Sequence, residues 1–194
     1  MANHATRDEL IEVGLKQIHF GGYTATGINQ ILERADVPKG SFYHHFASKD
    51  AFAKEILEHY NVVEQERWES FLGDTKVSPL KRLRRYFKEM IAIYGRCGQS
   101  AGCLLGNMTV EVAEHNPELR GVLRKSFDRW QNAIAKTIRE AIEQRELPKT
   151  ANAEELAAVL VNNWEGAQVR SRAEQSDKPL ELFVDVTFNV LLKG

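Results

Sequence analysis

The sequence predicts an all-α protein in two parts. A small N-terminal helix-turn-helix domain is joined by a long helix to a larger C-terminal helical domain. Three observations lead there. Apolar residues recur at three- and four-residue spacing from Leu10 almost to the end of the chain. Gly, Pro and Asn fall between these stripes and not between alternating β-branched runs, so no strand is expected. Residues 24–50 hold two short apolar repeats around a three-residue turn and close on the cap of a longer helix. The domains are expected over residues 1–48 and 49–194.

The elements follow in order. Thr6 and Glu9 have the capping-box spacing, so the first helix is expected to begin near Thr6. Leu10, Ile11, Gly14, Leu15 and Ile18 form its stripe, and Gly21-Gly22 ends it. The second helix carries Ile28, Ile31, Leu32 and Ala35 at i, i+3, i+4 and i+7, with Thr26 as its expected cap. Ala35-Asp36-Val37 is the turn. Pro38 suits the first position of a third helix, where its missing N–H costs nothing. Phe42 and Phe46 can anchor that helix, leaving Lys39, Gly40, Ser41, Tyr43 and His44 outward.

Ser48 caps the fourth helix, whose stripe of Ala51, Phe52, Ile56, Tyr60 and Val63 runs well past one turn. Gly73-Asp74 and Ser78-Pro79 punctuate the chain. A fifth helix carries Leu80, Leu83, Phe87, Met90, Ile91 and Tyr94. A sixth starts after Gly102 and reaches about residue 114. Asn116-Pro117 opens a long seventh with Leu119, Leu123, Phe127, Trp130, Ile134 and Ile138, broken by Leu147-Pro148. Leu156, Leu160, Trp164 and Ala167 mark the eighth. The last helix is apolar on two sides, Leu180, Phe183, Val184 and Phe188 on one and Leu182, Val186 and Val190 on another, so a partner surface is expected.

Composition narrows the function. The 194 residues are 43% apolar and 27% charged, with net charge −1. That is a globular profile whose bulk charge announces no nucleic-acid partner. Within residues 1–46, Arg7, Lys16, Arg34 and Lys39 face Asp8, Glu9, Glu12, Glu33 and Asp36. Charges in the first twenty residues argue against a signal peptide. No stretch approaches the roughly eighteen apolar residues of a membrane span. Two cysteines are too few for a disulfide scaffold, which fits a cytoplasmic protein. There is no serine–histidine–aspartate set, phosphate loop, dinucleotide fingerprint or zinc spacing, and no cofactor or metal is expected.

A short helix with small and polar residues at its N-terminal end suits entry into the major groove of double-stranded DNA. Gly40 and Ser41 let the backbone approach. Lys39 can reach a guanine edge or a phosphate, Tyr43 and His44 can donate to phosphates, and the helix start at Ser48-Lys49 offers a further anion site. On residues alone, a helical hairpin with a solvated polar face fits as well.

The segments Gly22-Tyr23-Thr24, Gly27-Ile28-Asn29-Gln30-Ile31-Leu32 and Val37-Pro38-Lys39-Gly40-Ser41-Phe42-Tyr43-His44-His45-Phe46-Ala47-Ser48-Lys49 resemble the DNA-binding domain of TetR-family repressors, over roughly residues 10–57. The resemblance implies that the N-terminal domain binds DNA and that the C-terminal part is a ligand-binding and dimerisation domain: a homodimer through the last two helices, bound to a palindromic operator and released by a small-molecule effector. It places the reading helix on residues 38–44 and phosphate contacts on Thr26, Tyr43, His44 and Lys49. Gly102-Cys103-Leu104-Leu105-Gly106-Asn107 and Trp164-Glu165-Gly166-Ala167 are similar to an electrophile-responsive subgroup, which includes the N-ethylmaleimide reductase repressor and the acrylate-responsive repressor. In the former, the cysteine matching Cys103 is a sensor, and its partner lysine falls on Arg172 here.

Cys103 opens a helix, where the dipole lowers a thiol pKa. It equally suits a small packed side chain. Tyr94, Phe127, Trp130 and Trp164 can line an effector pocket or simply fill the core, and Asn107 and Arg170 are polar residues that could give a pocket its specificity. Lys81, Arg82, Arg84, Arg85 and Lys88 read as a solvated helix face. A cysteine-dependent helical enzyme and a helical interaction protein are the alternatives to a regulator, but no base is recognisable beside the thiol.

Overall fold

The computed structural model describes the backbone of residues 2–97 and 101–193 and the side chains of residues 6–93 and 101–193. Nine helices run through the described residues: α1 (Ala2–Gly21), α2 (Ile28–Ala35), α3 (Lys39–His45), α4 (Lys49–Leu72), α5 (Pro79–Cys97), α6 (Leu104–Val112), α7 (Pro117–Glu143), α8 (Ala153–Glu174) and α9 (Lys178–Val186). A π-helical turn over Thr187–Leu191 extends α9, closed by a bond from the Leu192 N–H to the Thr187 carbonyl at 2.8 Å. No strand occurs among the described residues.

The helix ends show what sequence could fix. α1 begins at Ala2, four residues before the expected start at Thr6, because nothing in residues 2–5 breaks a helix. Ser48 caps α4 as expected, its Oγ accepting the Ala51 N–H at 3.0 Å. Asn152 caps α8 by accepting two backbone N–H groups. Gly27, and not Thr26, is the N-cap of α2. Pro38 likewise precedes α3 as its N-cap instead of opening its first turn. In either place its missing N–H leaves no bond unmade.

Packing divides the chain into two compact units: residues 1–63 with 103–126, and residues 64–102 with 127–194. α6 and the first part of α7 therefore pack with the N-terminal helices. In that first unit Leu10, Ile18, Ile31, Phe42, Phe52, Ile56 and Leu57 are inaccessible to solvent. Gly14 allows the close approach of α1 to α4: a Cβ there would lie 2.3 Å from the Phe52 ring.

The second unit has its own core of aliphatic and aromatic side chains from α4, α5, α7, α8 and α9. Trp164 stacks between Phe87 and Phe183, with ring centroids 5.1 and 5.2 Å away. Arg82 corrects the reading of its neighbourhood as a solvated face. It is 2% exposed, donates to the Leu72 carbonyl and pairs with Glu140. Leu72 ends α4, so this guanidinium satisfies a carbonyl that has no partner within its own helix. No helix among the described residues is long and apolar enough to cross a membrane.

Candidate nucleic-acid interface

α3 is seven residues long and is held from one side only. Phe42 and Phe46 are buried, and their rings pack on Phe52 with centroids 5.2 and 4.7 Å away. Residues i and i+4 share a helix face, so these two anchors fix which face is left outside. On the outer face Lys39, Gly40, Tyr43 and His44 are exposed and Ser41 is half-exposed. Pro38 is exposed at the start of the helix. Nothing lies within 4 Å of where a Gly40 Cβ would be, so the backbone there is open to a surface approaching it. The turn before α3 bends at Asp36, whose φ of 51° is left-handed, a conformation that Asp tolerates better than most residues.

Thr26 and Lys49, the expected phosphate contacts, sit differently from α3. Thr26 is 4% exposed, and its hydroxyl donates to the Gly22 carbonyl at 2.7 Å and the Gln17 carbonyl at 3.2 Å. Its side-chain proton is thus committed inward. Lys49 is half-buried, with Nζ donating to the Tyr23 carbonyl at 2.6 Å and lying 4.3 Å from the Tyr23 ring centroid. Burial lowers its pKa, against the raising influence of Glu111 and Asp50. The Tyr23 hydroxyl donates to Asp50, and burial, with Asp50 next, pushes its pKa upward.

Glu111 completes this network and was not legible in the sequence. Its carboxylate accepts the backbone N–H of Tyr23 at 3.0 Å and of Thr24 at 2.6 Å. Gly22, with φ of +85°, leaves room for it: a Cβ there would stand 2.9 Å from a Glu111 oxygen. α6 therefore grips the loop that leads into α2. Arg7–Glu55, Lys54–Glu118 and His59–Glu12 bind the same unit together from outside.

The expected effector residues are divided between the two units. Cys103 is buried at the N-cap of α6, and Asn107 lies one turn later, half-exposed. Trp130 and Trp164 belong to the core of the second unit, and Phe127 packs against it. Arg170 is largely exposed, pairs with Glu174 and lines a surface groove between α8 and α9 with Asn163 and Leu182. Arg172 is exposed on α8, in the second unit, whereas Cys103 lies in the first. Tyr94 lies outside the described side chains.

Comparison with known proteins agrees with this geometry. Residues 10–56 match the family described as bacterial regulatory proteins, tetR family, and residues 79–187 match the tetracyclin repressor-like C-terminal domain. The HTH-type transcriptional repressor DhaR of Mycobacterium sp. (strain GP1) is 35% identical, over 99% of this chain and 95% of its own. The transcriptional regulator AcuR of Cereibacter sphaeroides is 33% identical, over 90% of this chain and 80% of its own. The crystal structure of reduced Escherichia coli NemR superposes with a TM-score of 0.89 at 27% identity, covering 96% of this chain and 97% of that one. With both of its parts matched in order and a relative above thirty per cent identity matched over nearly its whole length, the chain belongs to the TetR family of bacterial regulatory proteins.

Proposed function

We propose that the protein is a ligand-controlled transcriptional repressor that binds a palindromic operator as a dimer. The observation that carries this reading is the one-sided burial of α3, with Phe42 and Phe46 inward and Lys39, Gly40, Tyr43 and His44 outward. The N-terminal residues of such a helix reach base edges while its flanks hold phosphates. The names of DhaR and NemR as repressors support the same direction of control. The weak bulk charge of the first unit means that affinity comes from two half-sites read together. Binding sequences selected from a random DNA pool by the full-length protein test this. A symmetric repeated motif is the expected product, and enrichment of no motif would overturn the assignment.

The effector reading places Cys103 at one end of α6 and Glu111 near the other, about 12 Å apart along the helix. An electrophile that alkylates Cys103 would displace the start of α6 and, through Glu111, loosen the Tyr23–Thr24 loop. N-ethylmaleimide should then release bound DNA from the wild type and leave Cys103→Ser bound. Equal release of both would remove Cys103 from the mechanism and leave the DNA-binding reading intact.

A further inference from the structure

The peptide group between Tyr23 and Thr24 stands between two opposite charges. Its N–H, on Thr24, donates to the Glu111 carboxylate at 2.6 Å, and its carbonyl, on Tyr23, accepts from the Lys49 ammonium at 2.6 Å. Glu111 lies in the last turn of α6 and Lys49 opens α4, so one amide of the loop between α1 and α2 joins the two helices. The carboxylate also holds the preceding amide, the Tyr23 N–H, at 3.0 Å. An amide that donates to an anion becomes a better acceptor at its oxygen, because hydrogen bonds in a chain polarise one another. The charge of Glu111 therefore reaches Lys49 through the peptide. Burial disfavours the Lys49 charge, and of the two carboxylates that oppose burial Glu111 outweighs Asp50, the adjacent residue in sequence.

The ammonium itself is held but not used up. It has three donors, of which the Tyr23 carbonyl takes one and the Thr24 carbonyl, at 3.5 Å, another. The Tyr23 ring lies beneath it, and the side chain stays half-exposed, so one N–H is left for a ligand. A lysine stem is long and flexible, and ordering it costs entropy at the moment of binding unless something has ordered it already. Here the ordering group is a carbonyl on a turn, with Thr24 and Ala25 exposed. Glu111 fixes that turn from α6. A carboxylate near a phosphate site would by itself repel DNA, but this one is engaged by two amide N–H groups and faces the Lys49 cation across a single peptide. The ordering of the ammonium therefore outweighs the repulsion.

We propose that Glu111 is a positioning residue for DNA binding: through the Tyr23–Thr24 peptide it sets the Lys49 ammonium where a phosphate of the duplex meets it. This rests on the reading of the start of α4 as a DNA contact. Salt titrations of the full-length protein with the duplex that the wild type selects from a random pool test it, run on the wild type, Glu111→Gln, Lys49→Met and the double variant. Lys49→Met should lower the slope of log affinity against log salt by about 1 per half-site. Glu111→Gln should weaken binding about tenfold and lower the slope in the same direction. In the Lys49→Met background the same substitution should weaken binding by less than about twofold, because the group it positions is gone. Equal weakening in both backgrounds would make Glu111 a support of the loop alone and overturn the proposal. Tighter binding by Glu111→Gln would overturn it too, by showing that the carboxylate repels the duplex. A second readout needs no substitution at Glu111. In the amide NMR spectrum of the free protein, Lys49→Met should move the Thr24 amide proton upfield and leave the Tyr23 amide, on the peptide before, nearly in place. Equal movement of both, or of neither, would overturn the bridge. A wild type that binds no duplex would instead break the reading on which the proposal rests.

Discussion

Glu111 accepts the backbone N–H of Tyr23 at 3.0 Å across 88 residues of chain, and so α6 holds the loop that sets the entry of α2. Hydrogen bonds to a charged acceptor contribute about 1.5–3 kcal/mol each, and the Thr24 N–H makes a second. Glu111→Ala should therefore destabilise the protein by about 2–4 kcal/mol, allowing for water reaching the freed amides. It should also speed amide exchange at Tyr23 and Thr24 while helix content stays constant. Glu111→Gln keeps an acceptor and should recover part of the protection. Unchanged exchange at both amides in Glu111→Ala would show that the loop is held by Thr26 and Lys49 alone.

The proposed reading helix makes separable predictions. Lys39→Ala should weaken operator binding and lower the slope of log affinity against log salt by about 1, the signature of one lost phosphate contact, if Lys39 meets the backbone. If it meets a guanine edge, affinity should fall for one base position by about 1–3 kcal/mol with the slope nearly unchanged. Either result fits α3 in the groove. Retention of both affinity and slope would not. Phe42→Ala, by contrast, should cost about 3–5 kcal/mol of stability, because its ring is fully enclosed.

Arg82 makes a stability prediction of a different kind. Removing one partner of a buried ion pair costs about 3–5 kcal/mol, since the other is left uncompensated. Here Glu140 is partly accessible, so the loss should fall near the lower end. Arg82→Met removes both the Glu140 pair and the donor to the Leu72 carbonyl. Arg82→Lys can satisfy one acceptor and should lie between Arg82→Met and the wild type in urea midpoint. Identical midpoints for all three would mean that the guanidinium is not needed at the end of α4.

Much of this was open to the sequence. Apolar repeats place α2, α5 and α7 because a helix face is a local property, repeating every 3.6 residues. Ser48 and Asn116-Pro117 mark helix starts through chemistry confined to one turn. Phe42 and Phe46 told which side of α3 is outward before any coordinate did. What escaped depends on residues far apart in the chain. Nothing near Arg82 distinguishes it from Lys81 or Arg85, and only Glu140 and Leu72 make it a buried side chain. Thr26 has the composition of a cap, but its hydroxyl is drawn to carbonyls at the end of α1. Glu111 looks like any polar residue on a short helix until the amides of Tyr23 and Thr24 are seen to end on it.

Glu64 gives the protein a pH signature. Burial raises its pKa above the ordinary 4.5, and Arg67 offsets only part of the effect. Above 4.5, until the raised value is passed, the folded protein holds a proton that the unfolded chain releases. The stability linked to Glu64 is therefore fully present below 4.5 and is lost as pH rises through the folded value. Glu64→Gln carries no proton to lose. Its melting temperature relative to wild type should climb as pH is raised above 4.5 and level off once the raised folded value is passed. A constant difference across that range would show that Arg67 fully compensates the charge.

The α8 and α9 surfaces test the dimer. Leu182 is 63% exposed, Val186 48% and Val190 70%, on a helix that also buries Phe183 and Val184 in its own core. Val159 and Val169 on α8 are exposed as well, at 41% and 66%. Burying such side chains contributes about 1.5–3 kcal/mol each, and the proposed dimer would bury them against a second copy of the chain. Leu182→Glu should leave the helix intact, because the side chain is outside the core, yet place a charge in a dry interface. Sedimentation should then give the mass of one chain where the wild type gives two. DNA affinity should fall steeply, since a palindrome spaced by one turn of about 34–36 Å is read by two helices held together. A Leu182→Glu protein that still sediments as a dimer would move the interface elsewhere, and one that binds DNA as a monomer with wild-type affinity would overturn the paired-half-site account of how so weakly charged a domain holds its operator.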